Sequence, residues 1–375
     1  YNDAKGVIGW RFEDQGVVVA SQLLNLANSD LSAAGRFSLY LPFNPDEQPL
    51  LNLQIGLQGT DGLQAKYYIP PKEVGPETYQ WLVQAIQKGE VKRAGFVLNG
   101  VTRARLPDYQ LPVVQLFFDL EDASFEYQPG WPAIKKANSF IYFRNGELIA
   151  EATNGNIYDS ALDFAWVHLP QTTDKLLIAG SVSGDATDLQ RLLTESELKK
   201  EVGDDFNDWA MSGSVSTLVD LNLPLSGKAA PKVLVTSNIK QGRFQSVKDK
   251  IDFSQIKGDV SYDASLGLSS GPLKAKLFEQ PISARISTRL MSNKVKKTEV
   301  NMDSSISADY LRTWLDADAL SLLKGQVDYH ARLDLCPGKV CNQLVVTSDL
   351  IGVEINAFPP LSKTKSQTMP LTVVS

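Results

Sequence analysis

Apolar and polar positions alternate along most of this chain. In residues 51–58 every odd position is apolar and every even position is polar or glycine. Successive side chains of a β-strand point to opposite faces, so this period predicts a strand with one apolar face and one polar face. Residues 114–120 repeat the pattern, and shorter alternating runs recur as far as residue 355. The alternation therefore predicts a mainly β protein.

Three segments depart from the alternation and place apolar residues three and four positions apart, which is the spacing of an amphipathic helix. The first opens at Pro76, and proline is tolerated in a first helical turn. The second follows Thr187 and the third follows Ser307, whose hydroxyl groups can cap a helix. All three segments are short, so we expect each helix to rest on a sheet.

Each predicted helix is followed by the same short pattern, a glycine and a valine two residues later, leading into an alternating strand. The glycines are Gly89, Gly213 and Gly325. A structural unit that recurs in this way indicates an internal repeat. We predict one continuous β assembly with approximate repeat units at 1–74, 75–186, 187–306 and 307–375.

Composition narrows the function classes. The 375 residues include 37 Lys or Arg and 43 Asp or Glu, for a net charge of −6, and there is no basic cluster of the kind that nucleic acid requires. The 2 histidines, His168 and His330, lie far apart in the sequence without a cluster of cysteines or carboxylates at metal-ligand spacing. We predict no nucleic-acid partner, no metal and no cofactor.

Two motifs could suggest chemistry. Ser269 lies in a G-x-S-x-G sequence, but the following residues alternate like a strand, whereas a nucleophile elbow needs a helix there. The acidic residues Asp204, Asp205 and Asp208 lack the alternating oxygen ligands and the glycine of a calcium loop. We interpret the first motif as a hairpin turn and the second as a solvated loop. The sequence therefore predicts a protein that is not an enzyme.

The only cysteines, Cys336 and Cys341, flank a Pro-Gly turn between two strand-like runs. Facing strands of a hairpin would bring the two thiols together, and a disulfide there requires an oxidising compartment. The alternative is a pair of reduced thiols in a cytosolic protein. We favour the disulfide, which indicates a location outside the cytosol.

Four segments carry a resemblance to a known family. Residues 127–134 read Y-Q-P-G-W-P-A-I, and a G-E-L strand core follows at 146–150. Residues 311–329 and the S-D-L-I-G-V to P-P-L-S-K run at 348–363 match later segments in the same order. In these motifs the chain resembles the YhdP family, which consists of AsmA-like proteins of the Gram-negative envelope.

The resemblance implies a fold and a role. It implies a repeated, twisted antiparallel sheet that forms an elongated apolar groove, with a few short amphipathic helices. It also implies a periplasmic segment of a longer protein anchored in the inner membrane. The expected partners are phospholipid acyl chains, moved between the inner and the outer membrane, both reached through parts absent from this chain.

The residues expected to line the groove are apolar residues of four predicted strands, and within each strand they lie on the same face. Alternation is equally compatible with a closed β-sandwich core, so an envelope scaffold or adhesion module is the alternative. A second alternative, an enzyme that acts on envelope lipid, would use Ser269. The predicted lipid contacts are Leu51, Leu53, Ile55, Leu57, Leu116, Phe118, Leu120, Val215, Val219, Leu221, Leu223, Val327, Leu333 and Leu335.

Overall fold

The structure of the chain is a computed structural model. It describes residues 3–27, 32–61, 76–101, 112–126, 129–173, 175–196, 199, 208–225, 230–246, 250–291, 295–336 and 341–375.

The described residues contain 23 β-strands, which make up 69% of them and join in antiparallel pairs into an open sheet. The predicted fold class, mainly β with a repeated antiparallel sheet and a few short helices, is confirmed. The strands are β1 Asp3–Lys5, β2 Ile8–Glu13, β3 Gly16–Ser21, β4 Leu24–Ala27, β5 Ser32–Pro42, β6 Leu50–Asp61, β7 Ile86–Val101, β8 Val113–Phe125, β9 Ile134–Arg144, β10 Glu147–Ile157, β11 Ser160–Leu169, β12 Lys175–Asp185, β13 Trp209–Pro224, β14 Lys232–Ser246, β15 Ile251–Asp263, β16 Gly267–Ser270, β17 Leu273–Leu277, β18 Gln280–Leu290, β19 Lys296–Ser307, β20 Leu323–Leu335, β21 Gln343–Ser348, β22 Val353–Ile355 and β23 Leu371–Val374.

The three predicted helices are present, and each precedes a long strand. Ser307 caps the third helix as expected, because its hydroxyl accepts a hydrogen bond from the Tyr310 amide. The assignment of Thr187 as the cap of the second helix is wrong. Asp185 is the cap instead, since its carboxylate accepts hydrogen bonds from the Thr187 amide and hydroxyl. The helices are α1 Pro76–Ala85, α2 Ala186–Glu195, α3 Ala308–Leu315 and a 3₁₀ turn at Asp318–Leu322.

Contacts divide the chain into two compact units. The first comprises Tyr1–Val182 with Leu221–Ala230, and the second comprises Ser183–Asp220 with Pro231–Ser375. The four repeat units predicted from the sequence have different boundaries and stay a prediction. No helix in the described ranges is both long enough and apolar enough to cross a bilayer.

The first unit is a meander of long strands. From β5 to β11 each strand pairs antiparallel with the next one in the chain. At the N-terminal side of this unit, β3 and β4 pair with different parts of the long strand β5. Strand β2 in turn pairs with β3, and β1 pairs with β4. Neighbours in sequence are therefore neighbours in space, which places the alternating residues of successive strands in common rows.

The second unit continues the same pattern from β14 to β21. The short strands β16 and β17 share β15 as their partner, and β17 to β21 pair in chain order. The C-terminal strands β22 and β23 pair with β20 and β21. Helix α3 and the 3₁₀ turn connect the paired strands β19 and β20, and the helix contacts both strands of this hairpin.

The glycines that follow the helices share a backbone conformation. Their φ angles are 147° at Gly89, 102° at Gly213 and 116° at Gly325, a region that residues with a side chain rarely adopt. A Cβ atom on Gly213 would collide with the carbonyl oxygen of Gln241, and one on Gly325 with that of Gly352. These positions therefore require glycine, and this shared requirement supports the internal repeat.

Candidate functional site

Apolar side chains of four strands in the first unit, β7 to β10, form one buried cluster, here called the first apolar cluster. Three of the predicted lipid contacts on β8 are buried inside it, and Phe118 is only 3% exposed. Leu51, Leu53 and Leu57 of β6 pack against it, and Ile55 pairs with one of its neighbours, Phe96. The buried members are Val91, Ala94, Leu98, Val114, Leu116, Phe118, Leu120, Ala123, Ile141, Phe143 and Leu148.

Sequence reasoning predicted a strand after Gly89 but assigned none of its residues to the groove, and this strand joins the two predicted groups. Strand β7 lies between β6 and β8, and its residues Ala94, Phe96 and Leu98 pair with Phe118, Leu116 and Val114. The register shifts between Val91 and Arg93, which marks a β-bulge. The residues of β7 that face the cluster therefore have odd numbers before the bulge and even numbers after it. A strict two-residue period cannot detect a face that continues across a bulge.

The second unit carries a continuous apolar face across β18, β19, β20 and β21, here called the second apolar face. Its central row consists of Ile286, Val300, Leu333 and Leu344, which are successive Cα partners on neighbouring strands. The next row is Ala284, Met302, Ala331 and Val346.

This face is only partly covered, unlike the first apolar cluster. Leu335 is 37% exposed and Leu290 is 64% exposed at the end of the face that lies away from α3. At the other end Ile306, Val327 and Val353 form a small buried core. Of the predicted contacts, Val327 therefore lies in a closed region, whereas Leu333 and Leu335 lie on the open part.

The opposite side of the same strands is charged. Lys297 forms ion pairs with Asp334 at 2.6 Å and with Glu299 at 3.3 Å, and Arg289 forms one with Glu299 at 2.5 Å. These residues alternate with the apolar ones, and Glu299 pairs directly with Asp334 across β19 and β20. The sheet of the second unit is thus amphipathic, with ion pairs on one face and apolar rows on the other.

The remaining predicted contacts lie on β13. Val215, Val219, Leu221 and Leu223 share one parity and therefore one face of this strand. Val215 is buried, and the other three are partly buried. Leu221 and Leu223 belong to the short stretch that groups with the first unit. All 14 predicted contacts remain a proposal as lipid-binding residues.

The candidates for chemistry are held in ordinary strand positions. Ser269 lies on β16, which is followed by strand β17 and not by a helix, so this sequence does not form a nucleophile elbow. His168 contacts the Glu147 carboxylate at 2.9 Å, and His330 contacts Asp303 at 2.8 Å.

No cluster of three metal-ligating side chains is found within the described part of the chain. Asp204 and Asp205 lie outside the described residues, and Asp208 lies in a turn directly before β13.

The two cysteines are joined in the structure. Cys336 and Cys341 form a disulfide with their Cα atoms 5.4 Å apart, a separation typical of such bonds. The turn predicted at Pro337 and Gly338 lies outside the described residues. The disulfide closes the β20–β21 hairpin beyond its last pair, Asp334 with Gln343.

Removing this disulfide should weaken the fold moderately without unfolding it. A loop this short restricts the unfolded chain little, so replacing both cysteines with serine should lower the free energy of unfolding by about 2 kcal/mol. Denaturant melts of the wild type and the double variant measure this difference. Thiol titration of the unreduced, unfolded protein provides the control, and two free thiols per chain would contradict the pairing.

The long antiparallel strands of both units, and in the second unit a sheet with apolar rows on one side and ion pairs on the other, define the class as a repeated β-sheet protein with an apolar sheet face. A family model, described as YhdP protein, matches residues 1–375, and the chain belongs to that family. The intermembrane phospholipid transporter YhdP of Escherichia coli (strain K12) is 25% identical over 380 residues, which cover 99% of this chain. The chain spans 29% of that relative's length. No solved structure matches the chain.

Proposed function

We propose that this chain is a periplasmic segment of a lipid conduit, which moves phospholipids between the inner and the outer membrane with their acyl chains on an apolar sheet face. The observation that carries the proposal is the second apolar face, whose rows cross four consecutive strands and stay partly exposed. Membership of the YhdP family and the name of the relative support the same role. The proposed function needs no catalytic residue, and we propose that the chain acts without catalysis.

The energetic reason for such a surface is the cost of exposing acyl chains to water. Two acyl chains contain on the order of 30 methylene groups, and each costs about 0.8 kcal/mol in water. An unshielded lipid would therefore meet a barrier of roughly 24 kcal/mol. A sheet with one continuous apolar face removes much of this barrier and leaves the polar headgroup hydrated.

The two units contribute differently to this proposal. On the second apolar face, Leu333 and Leu335 are accessible to an acyl chain as the structure stands. In the first apolar cluster, Leu116, Phe118 and Leu120 are covered by their neighbours, so a lipid there would have to separate packed side chains. The scaffold alternative, a module with a closed core that binds protein partners, is not favoured, because the sheet is open and one face is partly uncovered.

Native mass spectrometry tests the proposal. The 375-residue chain is expressed in a periplasm, purified without detergent and analysed intact, and the bound lipid is extracted and identified. We expect phospholipid to co-purify in a defined ratio to protein. A folded chain that carries no lipid, and takes none from added phospholipid, would overturn the conduit and favour the scaffold.

A further inference from the structure

The second apolar face ends in a polar border, and this border is graded. Beyond the central row of Ile286, Val300, Leu333 and Leu344 lies a row with two hydroxyls, Thr288 and Thr298, beside Leu335. One step further, the outermost pair of the β18–β19 ladder is Leu290 with Lys296. Within each strand these residues are two positions apart, and across neighbouring strands they are Cα partners, so they lie on the same face. Along β19 the side chains therefore pass from apolar to hydroxyl to cationic.

This order matches the order of groups in a phospholipid. From Val300 to Lys296 is four residues, or about 13 Å of strand, with Thr298 halfway. Acyl chains on the central row would place the glycerol region beside the threonines and the phosphate at the edge. We propose that the edge at Lys296 binds the phosphate of a phospholipid whose acyl chains lie on the second apolar face. This inference rests on the proposed function and adds to it a headgroup position.

The hydrogen bonds of the two threonines leave Lys296 as the donor for the phosphate. Thr288 donates its hydroxyl proton to the Leu268 carbonyl at 2.8 Å, and its oxygen lies 2.9 Å from the Thr298 hydroxyl. With that proton committed, Thr298 donates to Thr288, and neither threonine has a proton left for an anion. Both oxygens can still accept a hydrogen bond from a headgroup hydroxyl.

Lys296 has donor capacity to spare. Among the described residues its ammonium donates one hydrogen bond, to the Ala264 carbonyl, and an ammonium has three protons. The nearby carboxylate is that of Asp263, whose pKa is lowered chiefly by the hydrogen bond from the Ser265 hydroxyl and then by the amides of Leu266 and Ser265, with Lys296 the smallest of the causes. Asp263 therefore has its own partners, and two protons of Lys296 remain for phosphate oxygens.

Two short-chain lipids, one with a phosphoglycerol headgroup and one without it, test this assignment. Binding of dioctanoyl phosphatidylglycerol and of dioctanoylglycerol to the 375-residue chain is measured by calorimetry. Lys296→Met should weaken binding of the phosphatidylglycerol about tenfold, because a hydrogen bond to a charged group is lost, and should leave dioctanoylglycerol binding unchanged. Lys296→Arg keeps the charge and should retain most of the affinity.

Lys274→Met is the matched control. Lys274 lies on β17 and pairs with Ser283, on the opposite face from Ala284 and the apolar rows, so its loss should change neither affinity. Equal binding of both lipids in the wild type, or an equal loss of both in Lys296→Met, would overturn the headgroup position while leaving the apolar surface intact. If neither lipid binds the wild type, the proposed function fails together with the inference.

Discussion

Replacing Leu120 with aspartate is expected to unfold the first unit. Leu120 is 2% exposed in the first apolar cluster, where it pairs with Val91 and Ser139. The substitution removes a buried leucine, which alone costs about 2–5 kcal/mol, and adds the penalty for burying a carboxylate. The sum is comparable with the whole stability of a typical domain, about 5–15 kcal/mol.

Thermal melts followed by circular dichroism measure this effect. Gln115→Asp on the same strand is the control, because Gln115 has the opposite parity and pairs with Arg144. It should change the free energy of unfolding by no more than about 0.5 kcal/mol. A Leu120→Asp protein that melts like the wild type would show that the first apolar cluster is not the core of this unit.

Replacing Val300 with aspartate should block lipid passage and leave the chain folded. Val300 lies in the central row of the second apolar face, between Ile286 and Leu333, and is only partly buried. A carboxylate there can stay hydrated when no lipid is present, but an acyl chain passing over it must remove that water. The cost of an aspartate in an apolar layer, about 3 kcal/mol, corresponds to roughly a hundredfold slower transfer.

The assay is transfer of labelled phospholipid between the two membranes in cells whose full-length protein carries the variant segment. Asn301→Asp is the control, since it introduces the same charge at the next residue of β19, on the face of Arg285 and Arg332. Transfer at the wild-type rate by a folded Val300→Asp protein would refute the conduit. A slowed Asn301→Asp protein would mean that the added charge acts in some other way than through the apolar face.

An introduced aspartate tests lipid transfer separately from folding in the second unit but not in the first. In the first apolar cluster an aspartate disrupts the packing of the protein itself, so a loss of transfer would be confounded with a loss of folding. On the second apolar face the same residue meets solvent. The sequence assigns Leu116 and Leu333 to the same class of position, and only their exposure in the structure separates them.

The periodicity of the sequence predicted local structure well. A two-residue period determines which side chains share a face of a strand, and a three-to-four residue period determines the face of a helix. The strands β6 and β8 and the existence of all three helices followed from these periods. The cap of α2 did not, because Asp185 and Thr187 are both good capping residues and only the backbone shows which one accepts the amide hydrogen bond.

The sequence by itself determined that this is a mainly β, amphipathic chain of a recognisable family, with one apolar side to most strands. The tertiary structure decided which strands meet, where the bulge in β7 carries an apolar face across a change of parity, and which apolar rows are covered. The physical reason is that alternation depends on residues two positions apart, whereas pairing and burial depend on residues far apart in sequence. A buried core and an accessible lipid surface therefore have the same pattern, and they differ only in what lies against them.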